Sequence, residues 1–539
     1  MVHDERPEVS AEAISPKRPW GRRLMLLVAI FATTVFLVSF VYRLPDISGR
    51  TVSNAIDDGA VTSLGREFAT ELAAHPGNAG VFLLPNGRDA FAARALLARR
   101  AEKSIDVQYY MYHQDTVGSL LTYDLLRAAD RGVRVRILID DIYGNQGEDT
   151  WVALDAHPNI EVRLWNPWKR GHSRLIQSVF RATDINYRMH AKSYTVDNQA
   201  TILGGRNIGD EYFDADTDVA FSDLDVLAIG PPVAEVSSEF DAYWRSESAY
   251  PVDILVREGS QADVDDLRSA RAAFYEKQST SAYVQALSDS DFAHGLASDS
   301  LAFSWAEARV IHDSPKKKAL GKAGQDELLI SQLAPYITGA KKEANIVSPY
   351  FVPGDKATEA LCKLVEGGVT VRVLTNSLAS NDVSAVHAGY SKYRRRLLRC
   401  GVQLFELDET LKDREGKSFT WLPGLKKSSL HAKTMSFDGE HMFVGSFNFD
   451  QRSLFINNEI GLIFKDPGLA GESSRQFDEN VHKVAFQVEF SREGGHENLR
   501  WVGGQGGPDV VMEKEPYATT WQKLTVGVLK WMPFIDSQL

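Results

Sequence analysis

One block of chemistry-bearing residues occurs twice in the chain. It reads first His190-Ala-Lys192-Ser-Tyr-Thr-Val-Asp197, six residues, then Gly204-Gly205-Arg-Asn207. It reads again as His431-Ala-Lys433-Thr-Met-Ser-Phe-Asp438, six residues, then Gly445-Ser446-Phe-Asn448. The histidines lie 431 − 190 = 241 positions apart, and the same offset relates Ile105 to Ile346 and Tyr109 to Tyr350. An offset held from position 105 to position 190 indicates two copies of one fold. Two such copies on one chain are expected to pack about a pseudo-twofold axis, with equivalent residues meeting at the interface.

The hydrophobic pattern around the blocks is that of parallel α/β units. Ile105–Tyr112 is a β-rich apolar run, Val117–Arg131 has helical spacing, Gly132 ends that helix, and Val133–Asp140 alternates as a strand. The order repeats in Ile346–Tyr350, a helix near Lys356–Glu366, and Val369–Thr375. A βαβ unit implies a parallel sheet covered by helices, so the fold class is α/β, with two duplicated α/β/α domains. Residues 85–250 and 326–510 are read as those domains, 43–84 as a tether with a first helix over Thr62–Leu72, and 251–325 as a polar connector with one helix over Val264–Glu276.

Within each block the His and Lys are two apart on a β-like stretch and so face one side. An imidazole beside an ammonium suits attack on a phosphate: the Lys holds anionic oxygens while the His serves as nucleophile or acid. Gly205 and its counterpart Ser446 sit in turns whose backbone N–H groups can meet an anion, and Asn207 and Asn448 add amide donors. Equal counting picks out two carboxylates: Glu459 is 28 residues after His431, and Asp218 is 28 after His190. A carboxylate on Nδ1 would fix the tautomer and leave Nε2 free to react. The expected catalytic set is His190, Lys192, Asp197, His431, Lys433 and Asp438. Asn207, Asn448, Gly205, Ser446, Asp218 and Glu459 are expected to bind phosphate or orient the histidines.

The doubled H-x-K-x(4)-D-x(6)-G-[GS]-x-N pattern resembles the phospholipase D superfamily over roughly residues 85–510. The stretches GGRNIGDEYFDA (204–215), FSDLDVLAIGP (221–231), TNSLASNDVSAVHAGYSKYRR (375–395) and FNFDQRSLFINNEIGLI (447–463) are similar to bacterial cardiolipin synthases, the C-type branch above all. The resemblance implies both motifs at one shared interfacial site and metal-independent phosphatidyl transfer through a phosphohistidine, with no cofactor. It makes His190 the nucleophile and His431 the general acid–base. The implied substrates are phospholipids: phosphatidylglycerol, with phosphatidylethanolamine the other candidate donor. If water replaces the acceptor alcohol, the same chemistry is that of a phospholipase D-type hydrolase.

Leu24–Tyr42 runs 19 residues without a charge, long enough at 1.5 Å per residue to span a hydrocarbon core. Lys17, Arg18, Arg22 and Arg23 precede it and only Arg43 follows before Asp46, so the positive-inside rule keeps residues 1–23 cytoplasmic and exports the remainder. A cleaved signal peptide is the competing reading, but the run exceeds the usual apolar region and no A-x-A-like site follows. The expectation is a single-pass anchor in the bacterial inner membrane with an extracytoplasmic body; many members of the resembling family lack an anchor in this clear form. Lys plus Arg number 60 against 72 acidic residues, a net charge of −12, which argues against nucleic acid as partner. Cys362 and Cys400 are the only cysteines, either bonded or two buried thiols. The remaining histidines show no metal-ligand spacing, so no metal is expected. Lys316–Lys318 reads as a solvated loop or a basic run that meets anionic head groups, Trp165–Arg174 as a surface loop or a lipid-facing one, and 511–539 as an amphipathic tail that either lies at the interface or packs on the body.

Overall fold

A computed structural model describes residues 20–144, 146–215, 221–297, 301–320, 325–381, 383–410, 429–491, 497–504 and 510–531. In the first half Ser104–Tyr109 and Arg134–Asp140 pair in parallel, with Thr116–Asp130 as crossover helix. Asp115 caps that helix by accepting from the Gly118 amide at 3.0 Å, and Gly132, at φ +95°, turns the chain toward the next strand. Ile160–Trp165 extends the parallel set on one side. On the other side Ser193–Val196, Ala200–Gly204 and Asp225–Ile229 follow antiparallel. The second half repeats the plan. Glu343–Val347, Thr370–Asn376 and Gln403–Leu407 are parallel, and Thr434–Phe437, His441–Gly445 and Ile460–Lys465 run antiparallel beside them.

The halves merge into one 18-stranded sheet. The join is made by two strands inside segments read from the sequence as tether and connector, Ala79–Leu84 and Ser304–His312. Ala79–Leu84 lies against Asp225–Ile229 and Ser304–His312 against Ile460–Lys465, and the two pair with each other from Ala79↔Ala306 to Val81↔Ser304. Ser304–His312 escapes sequence detection because Glu307 and Arg309 alternate with small Ala306 and Ala308, which leaves little apolar signal. Residues 43–84 are strapped down rather than free. Arg50 donates to the Ser246 and Ala249 carbonyls at 2.7 and 2.8 Å, and the Ala55 amide donates to Asp241 at 2.9 Å. The first helix runs Ser63–Ala74 with Thr62 as its cap, and the connector helix runs Gln261–Gln278.

Strand alternation sorts the core into layers. Leu227 and Ile229 face helices Gly87–Arg100 and Thr116–Asp130, whereas Val226 and Ala228 face a second core holding Phe240 from the first half and Val347, Leu374 and Phe477 from the second. That shared core holds the halves in register. Cys362 and Cys400 are disulfide-bonded with Cα atoms 5.4 Å apart, joining helices Gly354–Glu366 and Ser384–Cys400; the buried-thiol alternative does not hold. Trp20–Val41 is a 22-residue helix. Several of its side chains lie outside the described residues, and among those described no helix is long and apolar enough to cross a membrane. In the tail, helix Thr520–Leu529 buries Val526 against Leu378 and Ala388 while Trp521, Leu524 and Val528 stay exposed, so it packs on the body by one face only.

Candidate active site

Each motif histidine is carried on an extended segment that pairs with the other half. The His190 amide donates to the Asn458 carbonyl at 2.8 Å, and the Asn458 amide to the Arg188 carbonyl at 2.8 Å. Reciprocally, Ser429–Leu430 pairs with Phe221–Ser222, and the His431 amide donates to the Ser222 carbonyl at 2.7 Å. The two H-x-K segments are thus exchanged across the pseudo-twofold axis, and each imidazole faces residues of the opposite half.

The orienting carboxylates are exchanged in the same way. His190 Nδ1 lies 2.8 Å from Glu459 Oε2, so Glu459 serves the first histidine and not the one from which it was counted. His431 Nδ1 lies 2.5 Å from Asp223 Oδ2, a residue that equal spacing missed. Asp218, the expected counterpart, lies outside the described residues. The offset explains the error: Ser446 and Gly205 differ by 241, but Glu459 and Asp223 differ by 236, so the first half holds five extra residues between its Asn and its carboxylate. The strand register aligns the two carboxylates instead: Asp225 lies opposite Gly204 and Gly461 opposite Gly445, and two residues back from each stand Asp223 and Glu459. The Gly/Ser difference at the repeated position follows from the same geometry. A Cβ on Gly205 would sit 2.1 Å from Asp223 Oδ1, so that carboxylate needs a glycine beside it. At Ser446 the side chain has room, and its hydroxyl donates to Glu459 Oε2 at 2.5 Å.

Both imidazoles are buried, and burial drives each down to about 4 against the pull of Glu459 on His190 and of Asp223 on His431; the nearby lysines push the same way as burial. Burial raises both carboxyls, but the adjoining histidines and lysines outweigh it, holding Asp223 at about 2 and Glu459 below its ordinary range. At neutral pH each site is therefore a carboxylate accepting from Nδ1–H, with a bare Nε2. Lys433 Nζ is 3.1 Å from the same His431 Nδ1. Since Asp223 can only accept, that approach is a packing contact, and the ammonium is bonded instead to the His431 carbonyl at 2.5 Å. Lys192 Nζ mirrors it on the His190 carbonyl at 2.6 Å. Burial lowers Lys192 to about 7, partly offset by Glu459 and reinforced by Lys433, so the two lysines share one field.

The other expected residues divide. Asn207 and Asn448 are buried near the motifs: Asn207 accepts from the Met111 amide at 3.3 Å and donates to Tyr212 at 3.0 Å, while Asn448 Oδ1 has no hydrogen-bond partner. Asp197 and Asp438 are not at the reacting centre. They end the strands that follow the motif lysines, in left-handed turns at φ 52° and 57°. Asp197 accepts from the Glu102, Lys103 and Ser104 amides at 3.0, 2.8 and 2.9 Å, and Asp438 from the Lys341, Lys342 and Glu343 amides at 3.0, 2.7 and 3.1 Å. Each fastens the motif hairpin to the start of its central strand, which corrects the catalytic role expected of them.

Lys317 corrects the solvated-loop reading of Lys316–Lys318. It is buried and donates to Asp313 Oδ2 at 2.9 Å and to the Ser453 and Asn457 carbonyls at 2.8 and 2.5 Å. Asp313 Oδ2 also accepts the Glu459 amide at 2.9 Å, and the Ser453 hydroxyl donates to Glu459 Oε1 at 2.8 Å. The pair thus braces the loop that aims Glu459 at His190. Beside His190, the Tyr110 ring meets the imidazole edge-on at 4.9 Å and forms one wall of a cavity of about 510 Å³ that His113, Asp140 and Tyr143 also line. His113, Asp115 and Glu211 have ligand atoms within 4.8 Å of one another, the one such group among the described residues, but Asp115 already accepts the Asp210 amide at 2.7 Å.

Comparisons with known proteins agree on one relationship. The family described as cardiolipin synthase, PLD-like domain, matches twice, at residues 96–244 and 333–481. The chain is 40% identical over 464 residues to cardiolipin synthase C of Escherichia coli (strain K12), covering 85% of this chain and 96% of that protein. It is 26% identical over 436 residues to cardiolipin synthase A of Pseudomonas putida, covering 79% and 74%. Its fold is like that of phosphatidylserine synthase from Haemophilus influenzae Rd KW20, with a TM-score of 0.55 at 14% identity, covering 88% of this chain and 100% of that one.

Proposed function

Because the chain belongs to the cardiolipin synthase family with duplicated phospholipase D-like domains, a family of phosphatidyltransferases, we propose that it builds cardiolipin at the exchanged histidine pair through a phosphohistidine. The observation that carries the mechanism is the reciprocal pairing of His190 with Glu459 and His431 with Asp223. In this reading the two bare Nε2 atoms, one from each half, act on one phosphate. Lys192 and Lys433, with the amides of Asn207 and Asn448, hold the phosphodiester oxygens. His190 Nε2 attacks phosphorus, the bond to the leaving alcohol breaks, and His431 gives that oxygen its proton. The substrate's anionic charge offsets the two lysines and lifts the proton affinity of His431, so the acid forms when substrate is bound. The phosphatidylglycerol hydroxyl then loses its proton to His431 and attacks phosphorus, restoring His190.

Membrane attachment by Leu24–Tyr42 belongs to the same reading. It is supported by the uncharged run and by the 22-residue helix Trp20–Val41, with Met25, Leu27, Phe36 and Phe40 each more than 60% exposed. An extracytoplasmic body is supported by the cations ahead of the run and by the Cys362–Cys400 disulfide, since such bonds persist in oxidising compartments. Purified protein incubated with labelled phosphatidylglycerol or phosphatidylethanolamine, with products resolved by mass, tests the chemistry. Cardiolipin is the expected product, and phosphatidic acid alone would make the protein a hydrolase. A C-terminal reporter active only in the cytoplasm should stay dark.

A further inference from the structure

One short helix of the first half turns an apolar stripe to solvent beside the end of the proposed anchor. In Arg174–Phe180, Leu175 (77%), Ile176 (41%), Val179 (67%) and Phe180 (38%) are exposed, while Gln177 is buried on the other side. Positions i, i+1, i+4 and i+5 form a continuous stripe on a helix. A single exposed aliphatic residue needs no explanation, but four on two turns mark a contact surface.

The stripe has a fixed place. Lys169 Nζ donates to the Val41 carbonyl, the last residue of helix Trp20–Val41, at 2.6 Å. The Tyr42 ring meets His172 edge-on at 5.2 Å, and Phe180 lines a cavity of about 1320 Å³ together with Tyr42, Leu44 and Ile47. The stripe is tied equally firmly to the chemistry. Asn186 is clamped from the second half by Arg452 at 2.7 and 2.9 Å, and Asp140 holds the Met189 amide at 2.8 Å, one residue before His190. Phe455, which ends the helix carrying Arg452, is 54% exposed as well.

We propose that helix Arg174–Phe180 is a second membrane contact. It lies in the headgroup boundary of the bilayer that takes the anchor and holds the mouth of the His190 site at the lipid surface. The occupant is the bilayer because the stripe is continuous with the exit of the anchor helix. A phospholipid headgroup then reaches the lysines without its acyl chains leaving the bilayer, which removes the desolvation cost of extracting them into water.

The proposal rests on the anchor reading, so the experiment separates the two. The native cysteines are bonded to each other, leaving a single introduced thiol for labelling. Full-length Val28→Cys and Val179→Cys, each carrying a fluorophore, are reconstituted in phosphatidylglycerol–phosphatidylethanolamine vesicles with and without brominated lipid. Quenching at both positions is expected. Quenching at Val28→Cys alone overturns the second contact and leaves the anchor, whether the stripe covers a second copy or another protein. No quenching at Val28→Cys overturns the anchor and the proposal together. In parallel, Leu175→Glu/Val179→Glu should lower turnover on vesicles about tenfold while leaving turnover on short-chain, monomeric phosphatidylglycerol unchanged. An equal loss on both substrates, or no loss on either, overturns the proposal.

Discussion

The two orienting carboxylates should respond differently to the same change from acid to amide. Asp223 accepts His431 Nδ1 through Oδ2 at 2.5 Å and the Leu224 amide through Oδ1 at 2.8 Å. A backbone N–H can only donate, so in Asp223→Asn the carbonyl oxygen must stay on Leu224 and the NH₂ must point at His431. The imidazole then accepts at Nδ1 and carries its proton on Nε2, the wrong tautomer for a base. Glu459 differs because its other partners are the Ser446 and Ser453 hydroxyls at 2.5 and 2.8 Å. Hydroxyls rotate, so Glu459→Gln can keep an oxygen on His190 and lose only the charge. Asp223→Asn should therefore lower kcat toward the roughly 10⁴-fold of a wrong-tautomer triad, and Glu459→Gln by about 10–100-fold. Giving up that Nε2 proton would leave an imidazolate, so Asp223→Asn impairs protonation of the leaving alcohol as well as the second step, and acid-labile label on His190 should build up more slowly than in the unaltered protein. Rapid-quench labelling with radiolabelled lipid phosphate reads this directly. Near-wild-type turnover in Asp223→Asn, or a larger loss in Glu459→Gln than in Asp223→Asn, would refute the reasoning.

With both histidines near 4 in the free enzyme, and one needed bare and the other protonated, kcat/KM should peak near that value. It should fall below about 4 as His190 Nε2 protonates, decline above it as His431 loses the proton it must give, and steepen above about 7 as the Lys192 ammonium discharges; Lys192→Arg, charged throughout, should remove that last steepening. Asp197→Ala strands three buried or part-buried backbone amides and should cost about 3 kcal/mol of stability in denaturant unfolding, with kcat of the folded fraction nearly unchanged, whereas Asp438→Ala should cost less because its Lys341 and Lys342 amides are exposed and can turn to water. Lys317→Met leaves buried Asp313 without its cation and should cost about 3 kcal/mol while lowering kcat more than it raises KM, because the Glu459 loop loses its brace; Lys317→Arg should restore part of both. Replacing Cys362 and Cys400 by Ser opens a loop of sequence separation 38 and should remove up to about 4 kcal/mol of stability in unfolding monitored under oxidising conditions.

The repeat itself was legible without coordinates, because side-chain chemistry at fixed local spacing survives translation along the chain. His190, Lys192, His431 and Lys433, the duplicated α/β plan and the family all follow from local patterns of this kind. The uncharged run Leu24–Tyr42 is legible for the same reason: hydropathy is a sum over neighbours. What failed was any reading that carried one copy's spacing across a loop. Five extra residues before Asp223 displaced the partner of His431 from where equal counting put it, and no local property of Asp218 or Asp223 reveals which one an imidazole from the other half will meet. Asp197 and Asp438 show the converse limit. Their place in the repeated block is real, but only the fold reveals that their oxygens are spent on the amides opening the central strands. Lys317, polar in a polar stretch, could not be told from a solvated lysine until three acceptors closed around it. Local sequence determined which groups can do chemistry here. Which carboxylate holds which histidine depended on chain segments more than 200 residues apart meeting across the pseudo-twofold interface, and that is set by packing of the two halves rather than by any spacing within one.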